Sequence, residues 1–327
     1  MDVAEIIRWA KGQIRKHPGL LGVLQPPAIR ATLVLRRFRK AAWYAGRMRN
    51  QNSINTLMHD RIIECTPSAF GKMGTLEIEL LAHDSKRTSK GERAAIPPAL
   101  RKQAFVNVGL FPPTDEALGR AFDEIRGSLS DMDVLAVFGN AGERELISGE
   151  AADAAALCGT GGLQPWGAAR PWSAALAGKR VLVIHPFVDT VRSQYSKRGA
   201  LWPSQPEVLP EFDLETLRMP LSAGIVEPKE ADWTERLHRM RGEMESRSFD
   251  VALIGAGGMS LPLAVHAKRL GAIGAHMGGN TQLLFGIRGK RWDDDPAFFQ
   301  YYNDSWTRPA AEETPEASRN IENGCYW

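Results

Sequence analysis

The chain is poor in cysteine, with Cys65, Cys158 and Cys325 the only ones among 327 residues. They stand far apart, and no CxxC or Cys/His spacing accompanies them. Neither a disulfide framework nor a structural zinc is therefore expected, and the usage suits a reducing, cytoplasmic compartment. Long apolar runs are also lacking: none approaches the roughly 20 residues that a membrane helix needs. The N-terminus has no charged-then-apolar leader pattern. Internal repeats and low-complexity tracts are missing too, so a repeat architecture is not expected.

What remains is ordinary globular composition, 43% hydrophobic and 24% charged, enough for a sizeable core. The length allows one large α/β domain or two smaller ones. Net charge is +3, but it is unevenly spread. Residues 1–50 carry 11 Lys/Arg against two Asp/Glu, so the rest of the chain is slightly acidic. We read residues 1–59 as a basic, helical N-terminal segment and 60–327 as the main domain. The stretch "RATLVLRRFRKAAWYAGRMRN" (30–50) interleaves cations with apolar and aromatic residues. A helix of that kind can lie on an anionic membrane surface or pack on the domain with its charges solvated. No nucleic-acid recognition motif follows it, and a nucleic-acid partner is not expected.

From about residue 60, short apolar runs alternate with amphipathic stretches. "AFVNVGL" (104–110), "MDVLAVFG" (132–139), "KRVLVIHPF" (179–187), "DVALIG" (250–255) and "AIGAHMGG" (272–279) read as strands. A helix follows Thr114, a good N-cap with Asp115 and Glu116 in the first turn. A surface helix is expected over 231–248. Alternating strands and helices argue for a mainly parallel, Rossmann-like α/β sheet covered by helices on both faces. Residues 140–178, rich in Gly, Ala and Pro, read as a linker or a long active-site loop. The last residues, Tyr326 and Trp327, suggest an end that docks back on the domain, filling a hydrophobic slot or stacking on a base.

Two glycine turns carry the functional signal. Gly255, Gly257 and Gly258 follow one strand, and Ser260 can cap the helix after them. Exposed N–H groups at such a turn favour an anion. A dinucleotide fingerprint needs G-x-G-x-x-G/A and an acid about 20 residues on. Here Ser260 stands at the third glycine, and the next strand ends at Ala275, His276 and Met277 without a carboxylate. A nicotinamide dinucleotide, a sugar nucleotide and a turn with no ligand are all open readings. The second turn repeats the pattern: Gly278 and Gly279 end a strand, and Asn280, Thr281 and Gln282 open the next helix. If the two strands are adjacent and parallel, both turns line one crevice at the carboxyl edge, where open α/β sheets bind ligands. Arg288, Lys290 and Arg291 add charge suited to a diphosphate, or form a solvated basic loop. His185 ends a strand and points toward the same edge, as an acceptor-facing or phosphate-facing group or as a satisfied buried histidine. Gln194, Tyr195 and Arg198 lie one turn apart and can share a helix face.

The segments "FGKMGTLEIELL" (70–81), "RVLVIHPFVDTVRSQYSKRGALW" (180–202), "IGAGGMSLPLAVHAKRLG" (254–271) and "GGNTQLLFGIRGKRW" (278–292) together resemble bacterial GT-D type glycosyltransferases of surface-polysaccharide clusters. Asn303, Trp306, Arg308, Pro309, Glu313 and the closing Cys325-Tyr326-Trp327 join the resemblance. It implies a Rossmann-like sheet, a nucleotide-diphosphate sugar donor, a glycan or lipid-linked glycan acceptor, and a divalent cation (Mn²⁺ or Mg²⁺). The family signature, Arg-aromatic-Gly-Asp-Gly-Glu, falls on Gly74, Thr75, Leu76 and Glu77 for its last four positions. Glu77 keeps the family's Glu and is the expected base or metal ligand; Thr75 replaces its Asp. A hydroxyl is a poor substitute for a carboxylate on either cation. Lys72, near the family's Arg position, can meet the diphosphate instead. The resemblance thus implies a glycosyltransferase; the cysteine usage suits a cytoplasmic one, and the basic N-terminus suits a peripheral place at the inner face of the membrane. Two other readings stay open: a non-catalytic nucleotide-sugar binding or assembly protein, and an NAD(P)-dependent oxidoreductase. As an alternative role for Glu77, "TLEIELLAH" reads as a helix start that Thr75 can cap.

Overall fold

The structure, a computed structural model, describes residues 43–44 and 46–327 apart from 87, 88, 90, 152, 153 and 294. Most of the basic segment, and with it the membrane-surface expectation, lies outside the described residues. The chain divides into two units, Met1–Met48 and Arg49–Trp327. Among the described residues no helix is long and apolar enough to cross a membrane.

Eight strands form one sheet in the order β1-β4-β3-β2-β8-β7-β5-β6. They are β1 (Met48–Arg49), β2 (Ser68–Lys72), β3 (Val134–Val137), β4 (Ala156–Gly159), β5 (Arg180–His185), β6 (Asp213–Arg218), β7 (Val251–Ile254) and β8 (Ile273–His276). The pairs among β2 to β8 are all parallel. This is the Rossmann-like α/β sheet expected. A parallel sheet is covered on both faces, so its inner strands are largely buried: the four residues of β3, β7 and β8 are all buried.

The α-helices of five or more residues among the described residues are α1 (Gln51–Ile63), α2 (Thr75–Asp84), α3 (Pro98–Gln103), α4 (Asp115–Leu129), α5 (Glu143–Glu150), α6 (Val188–Tyr195), α7 (Trp233–Glu245), α8 (Ser260–Arg269) and α9 (Asn280–Leu284). Helix α1 buries Ile54, Met58 and Ile62 in the same core as the sheet, although its first nine residues fall within the 1–59 segment. Helix α4 starts as its residues dictate: the Thr114 hydroxyl accepts the Ala117 N–H at 3.2 Å, and Leu118, Phe122, Ile125 and Leu129 form its buried stripe. In α7, Asp232 caps the Glu235 N–H at 2.8 Å, while Trp233, Leu237, Met240 and Met244 face inward.

Several expectations need correction. The segment 104–110 is not a strand. Ala104–Val108 is a π-helical turn that extends α3 and stops at Gly109, whose φ is +80°. Its apolar content reflects packing against neighbouring loops rather than a place in the sheet. The stretch 140–178 is neither a linker nor one long loop, since it holds α5, β4 and two short 3₁₀ turns. Strands β2 and β6 also appear where no strand was expected. Ser260 does not cap α8; its buried hydroxyl turns back and accepts the Ala256 N–H at 2.8 Å. Gly74, not Thr75, occupies the cap position of α2.

Candidate functional site

The strand order reverses between β2 and β8. From β2 the chain runs outward through β3 and β4, while β5 to β8 lie on the other side. Such a switch point leaves a crevice at the carboxyl ends of the strands. A cavity of about 590 Å³ opens there, over the ends of β2, β5, β7 and β8.

One wall is charged. Lys72 ends β2, Gly74 starts α2, and Glu77 sits in the first turn of α2 with its carboxylate folded back over Gly74. Burial raises the Glu77 pKa above its ordinary value, with the Glu322 charge adding to the effect. Burial, then the nearby Arg291 charge, lowers that of Lys72. No carboxylate pairs with Lys72 among the described residues; its ammonium lies 5.5 Å from the ring centre of Phe138. Gly278, Gly279 and Gln282 continue the wall, and Arg291 faces it from the segment after α9. The φ of Gly278 is +62°, a conformation that favours glycine, and the Lys72 stem lies close above it.

The C-terminal tail closes this wall with Ile321, Glu322, Tyr326 and Trp327. It docks as expected from its sticky end. The Arg291 N–H binds the Cys325 carbonyl at 2.9 Å, Gln282 Nε2 binds the Tyr326 carbonyl at 3.0 Å, and Trp327 Nε1 binds the Glu313 carbonyl at 2.8 Å. Glu322 pairs with Arg291, whose Nη1 donates to the Tyr326 hydroxyl at 3.2 Å. Burial pushes the Tyr326 phenol up to about 12. Glu322 and Asn323 are both left-handed, a strained backbone for residues with side chains.

The opposite wall comes from the π-helical turn at Asn107–Gly109, from Met219 to Ser222, and from Trp233. The floor is made by Gly255, Gly257, His185 and His276. Gly255 must lack a side chain, because a Cβ there would lie 2.5 Å from Cδ2 of His185. Burial lowers the His185 pKa to about 3 and that of His276 to about 4, where the Lys72 charge adds to the effect. Both rings are therefore neutral at physiological pH.

The two glycine turns meet as the sequence reading required: β7 and β8 are parallel neighbours, with Ile254 opposite His276. Lys72, Gly74, Thr75, Glu77, His185, Gly255, Gly257, Gly278, Gly279, Gln282 and Arg291 all line the cavity. The remaining candidates do not, and most are engaged elsewhere. Gln194 Nε2 donates to the carbonyls of Gly286 and Ser305. Tyr195 stacks on Phe212 at 4.5 Å, and Arg198 pairs with Glu211. Gly258 packs on Val108. Ser260 and Asn280 are buried, and Thr281 is bound to the Ile254 carbonyl at 3.2 Å. Arg288 lies over Tyr302 and beside Asp293, and Lys290 is exposed. Sequence reasoning missed His276 as a site residue, along with Phe138, Asn107 and Glu322. The parallel between "VLVIHPF" and "AIGAHMGG" was the one signal that pointed to His276.

The donor set does not fit a divalent cation. The Thr75 hydroxyl accepts from Asn140 Nδ2 at 3.1 Å, so Glu77 is the one carboxylate left of the pair that the resemblance implies, and the Lys72 and Arg291 cations stand beside it. Among the described residues no group of three or more His, Cys, Asp or Glu is arranged to hold a metal. Comparison with known proteins adds no relative: no family model, no curated protein and no solved structure matches the chain.

Proposed function

We propose that the protein is a glycosyltransferase that moves a sugar from a nucleotide-diphosphate donor to a glycan or lipid-linked glycan. The observation that carries this reading is the wall on which Lys72 and Arg291 stand beside Glu77, in a cavity at the switch point of a parallel sheet. A volume of about 590 Å³ lies within the range of small-ligand sites, and Phe138, Phe187, Tyr326 and Trp327 offer aromatic surface for a base or a sugar ring.

Transfer joins the acceptor oxygen to the anomeric carbon and breaks the bond from that carbon to the diphosphate. The acceptor proton passes to a base, and the departing diphosphate needs positive charge. Glu77 suits the first task, since burial makes its carboxylate hold a proton more firmly. Lys72 and Arg291 suit the second. His185, held neutral and with one ring nitrogen already bonded to the Phe187 N–H, suits a positioning role better than that of a base. The loss of the family's Asp at Thr75 favours one other reading, a protein that binds nucleotide sugars without turning them over. An NAD(P) site is disfavoured because β8 ends in His276 where a ribose-binding acid is needed.

A thermal-shift panel of UDP-, GDP-, dTDP- and CMP-linked sugars, with and without Mn²⁺, tests the donor class. If none of them stabilises the protein, the reading fails. Stabilisation without turnover favours the binding protein. In an active preparation, Glu77→Gln is expected to retain donor binding and the fold while losing transfer.

A further inference from the structure

At the carboxyl edge of a parallel sheet, backbone N–H groups collect and attract anions. This protein fills several of those cradles with its own side chains. After β3, the buried Glu143 accepts the N–H groups of Phe138, Gly139 and Asn140 at 2.9, 2.5 and 2.9 Å. After β5, the buried Glu313 accepts those of Asp189 and Thr190 at 2.8 and 3.1 Å. After β2, Glu77 folds over Gly74. Among the described residues no carboxylate is hydrogen-bonded in the turns after β7 and β8, which face the cavity beside two histidines.

Both histidines are oriented in the same way. Nδ1 of His185 accepts the Phe187 N–H at 3.0 Å, and Nδ1 of His276 accepts the Gly278 N–H at 3.1 Å. A ring nitrogen that accepts carries no proton, so in a neutral ring the proton is on Nε2. The Ile254 carbonyl is farther from His276 Nδ1, at 3.3 Å, and a proton on Nδ1 would oppose the Gly278 N–H. Nε2 of His185 has no protein partner among the described residues, the His276 ring also bonds the Lys72 backbone, and both rings line the cavity. One free N–H donor thus faces the floor beside Gly255, and on the other side the His276 ring is tied to Lys72, the residue that ends β2.

We propose that this floor is a diphosphate subsite that works without a divalent cation: His185 donates through Nε2–H to a phosphate oxygen, His276 positions Lys72, and Lys72 and Arg291 supply the positive charge. The inference rests on the nucleotide-sugar reading and specifies how the donor is held.

Inorganic pyrophosphate is the probe, titrated calorimetrically into the full chain in EDTA and again with Mn²⁺. Binding in EDTA is expected. His185→Leu and Lys72→Met should each weaken it at least tenfold. His185→Gln, whose amide N–H can approach the Nε2 position, should stay within threefold of wild type. Circular dichroism checks the fold of each variant, and Lys72→Met carries the test if His185→Leu fails to fold. Binding seen only with Mn²⁺, wild-type affinity in both loss variants, or equal weakening by Gln and Leu would overturn the proposal. If nucleotide sugars stabilise the protein only with Mn²⁺, this inference falls and the glycosyltransferase reading stands. If neither pyrophosphate nor any nucleotide sugar binds, both fall.

Discussion

Removing the Glu313 carboxylate should loosen the tail and destabilise the fold. That side chain is 1% exposed and comes from a segment more than 120 residues beyond α6. It accepts the Asp189 and Thr190 N–H groups and the Thr190 hydroxyl, the last at 2.5 Å. The same hydroxyl accepts the Ala310 N–H at 2.8 Å, so tail and helix are clasped from both directions. In Glu313→Ala the two N–H groups lose their acceptor, at about 1–3 kcal/mol for each buried donor left unmet. The favourable charge at the helix N-terminus, worth about 0.5 kcal/mol, goes as well. Arg218 also reaches Glu313, but its side chain is 48% exposed, so water can replace that partner and little is added. The total is about 2.5–6.5 kcal/mol, and at roughly 2–3 °C per kcal/mol for a unit of this size Tm should fall by about 5–20 °C. Glu313→Gln keeps an acceptor oxygen and should lose roughly half as much. Scanning calorimetry of wild type and both variants checks this. A Tm within about 2 °C of wild type for Glu313→Ala would refute the clasp.

Other predictions are simpler. Thr114→Ala removes the α4 cap and should cost about 1 kcal/mol in urea unfolding, whereas Thr75→Ala, which removes no cap, should cost less. Gly255→Ala pushes a methyl group into His185 and should cost about 1–3 kcal/mol; it should also weaken the thermal response to nucleotide sugars, and unchanged Tm and ligand response would contradict the close approach. His185 and His276 have folded pKa values of about 3 and about 4, below the ordinary 6.5. The unfolded chain therefore binds more protons between those values and 6.5, and their contribution is full above 6.5 and lost as pH falls through that window. Each ring costs up to about 1.4 kcal/mol per pH unit there. Urea midpoints at pH 7 and pH 5 read this slope, and it should flatten in His276→Gln.

The central strands were legible because full burial makes them unbroken apolar runs, as in "VLVIH" and "VALI". Helix α4 was legible through its cap and its stripe. Strand β2 was not: Ser68, Gly71 and Lys72 interrupt its apolar character, and its place is secured by β3 and β8 on either side. Strand β6 alternates polar residues at an edge, and β4 has four residues inside a Gly/Ala-rich stretch. Ala104–Val108 has strand-like content but helical continuity from α3, and local composition does not separate the two. In the site, the paired glycine turns could be read from sequence, since each follows a strand. The partners of Gln194, Tyr195 and Arg198 could not, because Gly286, Ser305, Phe212 and Glu211 reach them through tertiary packing. His276 escaped notice for a similar reason: its ring gains meaning only from Lys72 and His185 on strands far away in sequence.

The strand order has a consequence for how the molecule is made. β8 is the last strand in sequence among the described residues, yet it sits in the middle, between β2 and β7. Until residue 276 has left the ribosome, the β2 and β7 edges have no mate, and two partial sheets expose strand rims that invite foreign pairing. Closing the seam joins segments about 200 residues apart, a slow search for a chain of high contact order. A chaperone that shields those rims during synthesis should raise the soluble yield. Stopping translation before Ile273 should leave a product that aggregates rather than a smaller folded domain.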